Sequence, residues 1–246
     1  MKHNVITHTI HGPMIVNRND LYLGRSFIEY GEFLQGEIEL LCALLNPGDL
    51  AIDCGANIGD TTLPLAKAVG KSGQVLAFEP APFIFQMLCG NLAVNSLTNA
   101  EAYNNGVGNE KALLGCPVGD PSKPDNFTAH RLTRQSVGHV AEVVLLDEWK
   151  LEECALLKID VEGMELDVLK GAAQTIERCR PFIYFEAEKE GEAYDCLKFI
   201  EQFGYDHRLV EIPFYRENNW KQNPVNIFGD MVSSNILCTP KGNTNG

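Results

Sequence analysis

Leu50-Ala51-Ile52-Asp53-Cys54-Gly55-Ala56-Asn57-Ile58-Gly59-Asp60 is the stretch that decides the fold. The apolar run from Asp49 to Cys54 predicts a short buried strand. Gly55 and Gly59 then allow a tight turn and close approach of a ligand to bare backbone. Thr61 to Val69 predicts a helix, with Asp60 as its N-cap and Pro64 tolerated near the first turn. Strand, glycine turn and helix in that order make the first unit of a parallel α/β sheet.

The same alternation continues downstream. Gln74–Phe78 reads as a strand, and Phe83–Asn95 as a helix with Ile84, Leu88 and Leu92 recurring on one face. Ala100–Asn104, Ala141–Leu146, Ala155–Ile159 and Pro181–Phe185 are further strands, with a long loop around Gly115–Asn126. Met164–Glu177 and Gly191–Phe203 are helices. Tyr205–Val210 and Asn235–Cys238 close the series as strands, and no helix separates them, so an antiparallel final pair is expected. The whole is a doubly wound α/β sheet with helices on both faces. Upstream, Glu37–Leu45 reads as a helix stopped by Asn46-Pro47-Gly48. Residues 1–36 form a separate β or irregular N-terminal segment ahead of one domain, 37–246. In that segment Met14–Val16 and Leu21–Leu23 flank a polar 17–20 turn, which predicts a hairpin.

Composition excludes several classes. At 45% hydrophobic and 22% charged residues the chain is globular, and 246 residues suit a single α/β domain. A net charge of −13 opposes general binding to nucleic acid or to an anionic membrane. The eight cysteines are scattered with no CxxC, which points to buried thiols of a reducing, cytoplasmic protein and away from zinc or disulfides. Pro80–Ala100 is uncharged but rich in amides, so it is not expected to span a membrane. The residues do not report whether the chain forms a homo-oligomer.

In sheets of this kind ligands bind beyond the carboxyl ends of the strands. At the first such end Asp53, Gly55, Ala56, Asn57 and Gly59 are candidates to hold a cofactor. At the second, Glu79-Pro80 places an acid 20 positions beyond Gly59, suited to accept bonds from both hydroxyls of a ribose. A dinucleotide loop wants G-x-G-x-x-G, but Asn57 stands where the second glycine belongs, and Asp53 would repel a pyrophosphate. S-adenosylmethionine, with an ammonium, a sulfonium and a ribose but no phosphate, fits better than a nicotinamide cofactor. Asn104, Asn105 and Val107 either frame the adenine edge or form a plain turn.

The fourth strand ends in Leu157-Lys158-Ile159-Asp160-Val161-Glu162-Gly163-Met164-Glu165. Taken with Asp53–Gly59 and Phe78-Glu79-Pro80, this resembles the FkbM-type S-adenosylmethionine-dependent methyltransferases, from about Glu37 to Glu188. The resemblance implies a Rossmann-like, seven-stranded class I methyltransferase sheet. It also implies O-methylation of a small-molecule or glycan acceptor, such as a saccharide or a secondary metabolite. Asp60 departs from what relatives often carry.

Candidate roles in transfer follow. Asp160, which also belongs to the cofactor set, and Glu162 are expected near the methyl group, to orient the acceptor hydroxyl or take its proton. Glu162 alternatively receives backbone N–H groups at the following helix. Glu186 and Glu188, with Asp160, offer an all-oxygen set for a magnesium ion (Mg2+), the competing reading being solvated strand-end carboxylates. His130 is the preferred histidine for a general base. Lys158 is placed to pair with a neighbouring carboxylate, and Tyr215–Trp220 is either a platform for sugar rings or a packed surface loop. An N- or carboxyl-methyltransferase on the same scaffold and a non-catalytic cofactor-binding protein are the rival readings.

Overall fold

A computed structural model of the chain describes residues 2–117, 119–135, 137–187 and 190–242. The N-terminal segment holds a hairpin, β1 (Asn4–Thr9) and β2 (Gly12–Asn17), then α1 (Leu23–Glu29) and α2 (Gln35–Ala43). The alternating body follows as β3 (Leu50–Cys54), α3 (Thr62–Ala68), β4 (Gln74–Phe78), α4 (Pro82–Val94) and β5 (Ala100–Tyr103). Next come β6 (Asn105–Val107), β7 (Ala112–Cys116) and β8 (His139–Val144), which form their own three-stranded sheet. The body ends with β9 (Leu156–Ile159), α5 (Glu165–Gly171), α6 (Ala173–Cys179), β10 (Phe182–Glu186), α7 (Glu190–Glu201), β11 (Tyr205–Pro213) and β12 (Val232–Pro240).

The main sheet has seven strands in the order β11-β12-β10-β9-β3-β4-β5. The inner pairs are parallel, and β12 runs antiparallel to both β10 and β11, as the missing helix between the last two strands predicts. Alternate residues of one strand feed opposite faces. Ile52 packs with Phe78, Leu157 and the α5–α7 residues Val168, Leu169 and Ile200. Its neighbour Ala51 packs with Leu41, Leu65 and Val69 on the α2–α3 side. β3 is therefore buried along its length, which is why it reads as a continuous apolar run. Among the described residues no helix is long and apolar enough to cross a membrane. All eight cysteines are free; five are buried and Cys89 is exposed.

Local chemistry moves some elements from their expected places. Met14–Val16 pairs with β1, not with Leu21–Leu23. Asn17 Oδ1 accepts the Asn19 N–H at 2.8 Å and Asp20 Oδ1 accepts the Tyr22 N–H at 2.9 Å. These bonds turn the chain into α1, so Leu21–Leu23 starts a helix instead of a second strand. The helix expected over 164–177 divides at Ala172, where α5 gives way to α6. Asp60 is not the cap of α3: Thr61 stands there without a side-chain cap bond, and Asp60 faces the cleft described below. The N-terminal segment is clamped to the body by Asn91, which is fully buried. Its side chain accepts the Ile15 N–H at 2.6 Å and donates to the carbonyls of Ile15 and Ile58 at 3.1 and 2.8 Å.

Candidate active site

The ends of β3, β4, β9 and β10 meet the start of β12 at one cleft of about 280 Å3. Parallel register sets Asp53 beside Lys158 and Lys158 beside Tyr184, making a polar row across three strands. Lys158 Nζ lies 3.3 Å from Asp53 Oδ1 and 3.3 Å from Asp160 Oδ2, and donates to the Gly55 carbonyl at 3.1 Å. Thr62 Oγ1 donates to the other Asp53 oxygen at 2.6 Å. The expected pairing of Lys158 with a carboxylate is thus met twice. Burial alone would lower the Lys158 pKa, but Asp53, Asp160, Asp60 and Glu37 around it hold it well above the usual lysine range. Burial pushes the Asp60, Glu37 and Glu79 carboxyls up to about 7.

The glycine loop is held by its own chain. Gly55 has φ +81°, and a Cβ there would sit 1.7 Å from the Asp160 carbonyl oxygen. Its bareness therefore lets the β3 and β9 loops touch; the close approach expected from a ligand is made by backbone. Asn57 adopts φ 47°, a left-handed conformation asparagine tolerates. Its N–H donates to Glu79 Oε2 at 3.0 Å, and the Ala81 N–H donates to Glu79 Oε1 at 2.8 Å. Glu79 is thereby fixed in direction. Gly55, Asn57, Glu79, Pro80, Asn105 and Val107 line the cleft, while Asp53, Ala56 and Gly59 stand behind it and shape the loop. Asn104 donates to the carbonyls of Glu79 and Pro80 at 2.8 and 3.1 Å and so braces that turn.

Beyond the glycine loop, the carboxylates of Asp160, Glu162 and Glu186 converge within 4.8 Å of one another. Glu162 takes the place expected for Glu188, which lies outside the described residues. Glu165 Oε1 accepts backbone N–H groups before α5, those of Val161 and Gly163, at 3.3 and 2.9 Å. Glu162 stands on the cleft wall. The three carboxylates are the oxygen set a magnesium ion would take. His130 also lines the cleft. Its Nδ1 donates to the Pro117 carbonyl at 2.6 Å and its Nε2 stands 3.3 Å from Asp125 Oδ2. Both ring nitrogens thus face oxygens of its own loop.

Glu37 is the site residue that sequence reasoning passed over. It sits on α2, 7% exposed, and its Oε2 accepts from Asn235 Nδ2 at 3.4 Å, beside the buried Tyr184 hydroxyl. Its signal was a carboxylate on the stripe of Leu34, Ile38 and Leu41, where an apolar residue belongs. The tail also departs from expectation. None of Tyr215–Trp220 lines the cleft, so no sugar platform forms there. Arg216 pairs with Glu32 and Glu39, and Lys221 Nζ donates to the carbonyls of Phe27 and Ile28 at 3.0 and 2.8 Å. Tyr30 Oη donates to the Val225 carbonyl at 2.8 Å and accepts the Ile227 N–H at 2.9 Å. These bonds sew the tail to α1, and the roof of the cleft comes from both: Tyr22, Phe33 and Leu34 on one side, Phe214 and Met231 on the other.

Comparison with known proteins agrees with this geometry. The profile described as "Methyltransferase FkbM domain" matches residues 53–207, from Asp53 on β3 into β11. Methyltransferase 1 of Beauveria bassiana (strain ARSEF 2860) is 30% identical over 143 residues, covering 49% of this chain and 57% of that protein's length. Methyltransferase sdnD of Sordaria araneosa is 31% identical over 190 residues, covering 63% of this chain and 73% of that protein. The crystal structure of Methyltransferase FkbM from Methylobacillus flagellatus KT shares the fold, with a TM-score of 0.53 at 18% identity over 78% of this chain and 43% of that one. A family profile spanning most of the chain, laid over the very loops that build the cleft, places the chain in the FkbM methyltransferase family.

Proposed function

We propose that the chain is an S-adenosylmethionine-dependent O-methyltransferase acting on a hydroxyl of a saccharide or a secondary metabolite. One observation supports the cofactor half of this reading: the charged side chains lining the cleft are mostly carboxyls, which suits a cationic, hydroxyl-bearing ligand without phosphate. Its fixed acceptors are the Glu79 carboxylate and the Asp160 side chain, and Lys158, its single Lys or Arg among the described lining residues, is already paired. A ribose suits Glu79, an ammonium or sulfonium suits the carboxylates, and a pyrophosphate would find no cation.

When bound, S-adenosylmethionine supplies a methyl group activated on a sulfonium. The protein's own share is alignment and proton transfer. Glu79, directed by Asn57 and Ala81, would hold the ribose, Gly55 and Asn57 would line the wall against the cofactor, and Asn105 and Val107 would meet the adenine. Asp160 and Glu162 orient the acceptor hydroxyl. Glu37, with a pKa near 7 and Asn235 steadying it, takes the proton. A carboxyl poised at neutral pH is effective there because transfer efficiency peaks when the base titrates near working pH.

Calorimetric titration with S-adenosylmethionine and, in parallel, NAD tests the reading. The expected result is binding of the former only, lost in Glu79→Ala. Binding of NAD, or S-adenosylmethionine binding indifferent to that substitution, refutes it. A second reading, a magnesium ion held for the acceptor, is favoured by the convergence of Asp160, Glu162 and Glu186. It requires that EDTA abolish methyl transfer and that magnesium restore it.

A further inference from the structure

The cleft has two unlike halves. Beside β3 and β4 its wall mixes polar groups, Asn57, Asp60 and Glu79, with apolar ones, Phe78, Pro80, Ala81 and Ile84. Over β10 and β12 the floor carries Glu186, Ser233 and Asn235, and the roof above them is ring and hydrocarbon, with Tyr22, Phe33, Leu34, Ile38, Phe214 and Met231. The rings hold one another in place. Phe214 lies 5.4 Å from Phe33 at 81° and 6.2 Å from Tyr22 at 71°, and Phe228 backs it at 5.5 Å and 66°. Tyr22, Phe33 and Phe214 are half-buried, so each keeps ring surface for a ligand. A wall of mutually packed aromatics is pre-organised and loses little freedom on binding.

Charge narrows the ligand further. Among the described residues lining the cleft the single Lys or Arg is Lys158, which is 4% exposed and occupied by Asp53, Asp160 and the Gly55 carbonyl. The other charged lining groups, Glu37, Asp60, Glu79, Asp160, Glu162 and Glu186, are all carboxyls. A phosphate or sulfate on the acceptor would face these acids with no cation to meet it. A saccharide seated on that roof would leave its roof-facing hydroxyls without partners, at about 1–3 kcal/mol for each one left unsatisfied.

We propose that the methyl acceptor is an uncharged, largely apolar small molecule carrying a hydroxyl, seated with its body on the Tyr22–Phe33–Phe214 wall and its hydroxyl toward Glu37, Asp160 and Glu186. This rests on the O-methyltransferase reading above and selects within it. Phenols and hydroxylated polycycles fit; nucleotide-activated sugars, phosphorylated intermediates and substrates tethered through a phosphate-bearing arm do not. The carboxylates serve the hydroxyl and the rings serve the scaffold, so the two kinds of recognition are separated along one cleft.

The test uses the full chain saturated with S-adenosylhomocysteine at pH 7.5, titrated calorimetrically with three probes. These are 2-naphthol, 2-naphthyl phosphate and methyl β-D-glucopyranoside. The expected result is binding of 2-naphthol, binding of the phosphate weaker by about tenfold or more, and no heat from the glucoside. Phe214→Ala is expected to weaken 2-naphthol by about tenfold, the equivalent of losing one ring's contact, with S-adenosylhomocysteine affinity changed by less than about twofold as the check that the floor is intact. Met231→Lys, at a mouth position that is 40% exposed, keeps the fold and is expected to reverse or erase the preference against the phosphate. The inference is overturned by a wild-type protein that binds the phosphate or the glucoside at least as well as 2-naphthol, by 2-naphthol affinity that ignores Phe214→Ala, or by a preference against the phosphate that ignores Met231→Lys. S-adenosylhomocysteine binding with no 2-naphthol binding overturns this inference and leaves the cofactor reading standing. Absence of S-adenosylhomocysteine binding itself removes that reading, and this one with it.

Discussion

Lys158→Met replaces the ammonium at the centre of the cleft floor by an apolar side chain of similar length. Asp53 is fully buried and would be left with a single side-chain donor, Thr62 Oγ1. Removing one partner of a buried ion pair costs about 3–5 kcal/mol. Asp160 is 45% exposed and can recover water, and Glu37 and Asp60 already titrate near 7, so the cost should fall at the lower end, about 3 kcal/mol at pH 7.5. With a urea m-value of about 2–3 kcal/mol/M, the unfolding midpoint should drop by roughly 1–1.5 M. The electrostatic origin has a second signature. Without Lys158 the carboxyls bind protons more tightly in the folded state, so the variant gains relative stability as pH falls. The deficit should therefore shrink clearly between pH 8 and pH 5. A loss below about 1 kcal/mol, or one equal at the two pH values, would refute the view that Lys158 holds the floor together by charge.

Other substitutions and conditions probe separate parts of the structure. Gly55→Ala should cost about 1 kcal/mol for its positive φ alone, and because its Cβ would strike the Asp160 carbonyl it should also lower S-adenosylmethionine affinity about tenfold; unchanged calorimetry would contradict the contact between the two loops. Asn91→Ala removes three buried backbone bonds and should destabilise by about 2–3 kcal/mol, with early protease cleavage inside residues 2–20 as the visible sign. Glu37, Asp60 and Glu79 have folded-state pKa values raised by burial to about 7, so their contribution is fully present below the unfolded carboxyl range. It is lost as pH climbs to about 7, so ligand-free protein should show a melting temperature that falls from pH 5 to pH 7 and then levels. Glu37→Gln should leave S-adenosylmethionine affinity within about twofold while removing the acidic limb of the methyl-transfer pH profile; a tenfold loss of cofactor affinity would instead make Glu37 a cofactor ligand.

Local sequence carries local structure, and the site divides along that line. β3, its glycine turn, β4 with Glu79 and β9 with Asp160 each announce themselves within about ten residues, through an apolar run followed by a turn or an acid. Their meeting at one cleft follows from parallel topology alone. The roof is different. Nothing near Tyr22 says that it will meet Phe214, and nothing near Lys221 says that its ammonium will bind the carbonyls of α1. Such contacts have no period and no spacing. The hairpin misreading has the same cause on a smaller scale: Asn17 and Asp20 spend their side chains on the backbone, a choice that residue type permits but does not announce. Glu37 lay between these cases, since an acid on an apolar stripe is a visible anomaly, but its partner Asn235 lies 198 positions away along the chain.

The stitching of the tail onto α1 bears on the order in which the molecule assembles. The bond from Lys221 to Phe27 closes a loop of 194 residues. Closing it is not much dearer than closing one of about 50, since each doubling adds only about 0.6 kcal/mol, but it cannot happen until nearly the whole chain exists. During synthesis the strands and loops of the cleft floor are complete while the first residues still wait for their partners. The aromatic roof of the cleft is then the last part to form and the first to open when the tail is clipped. A nicked molecule would keep the floor of the cleft and lose its roof.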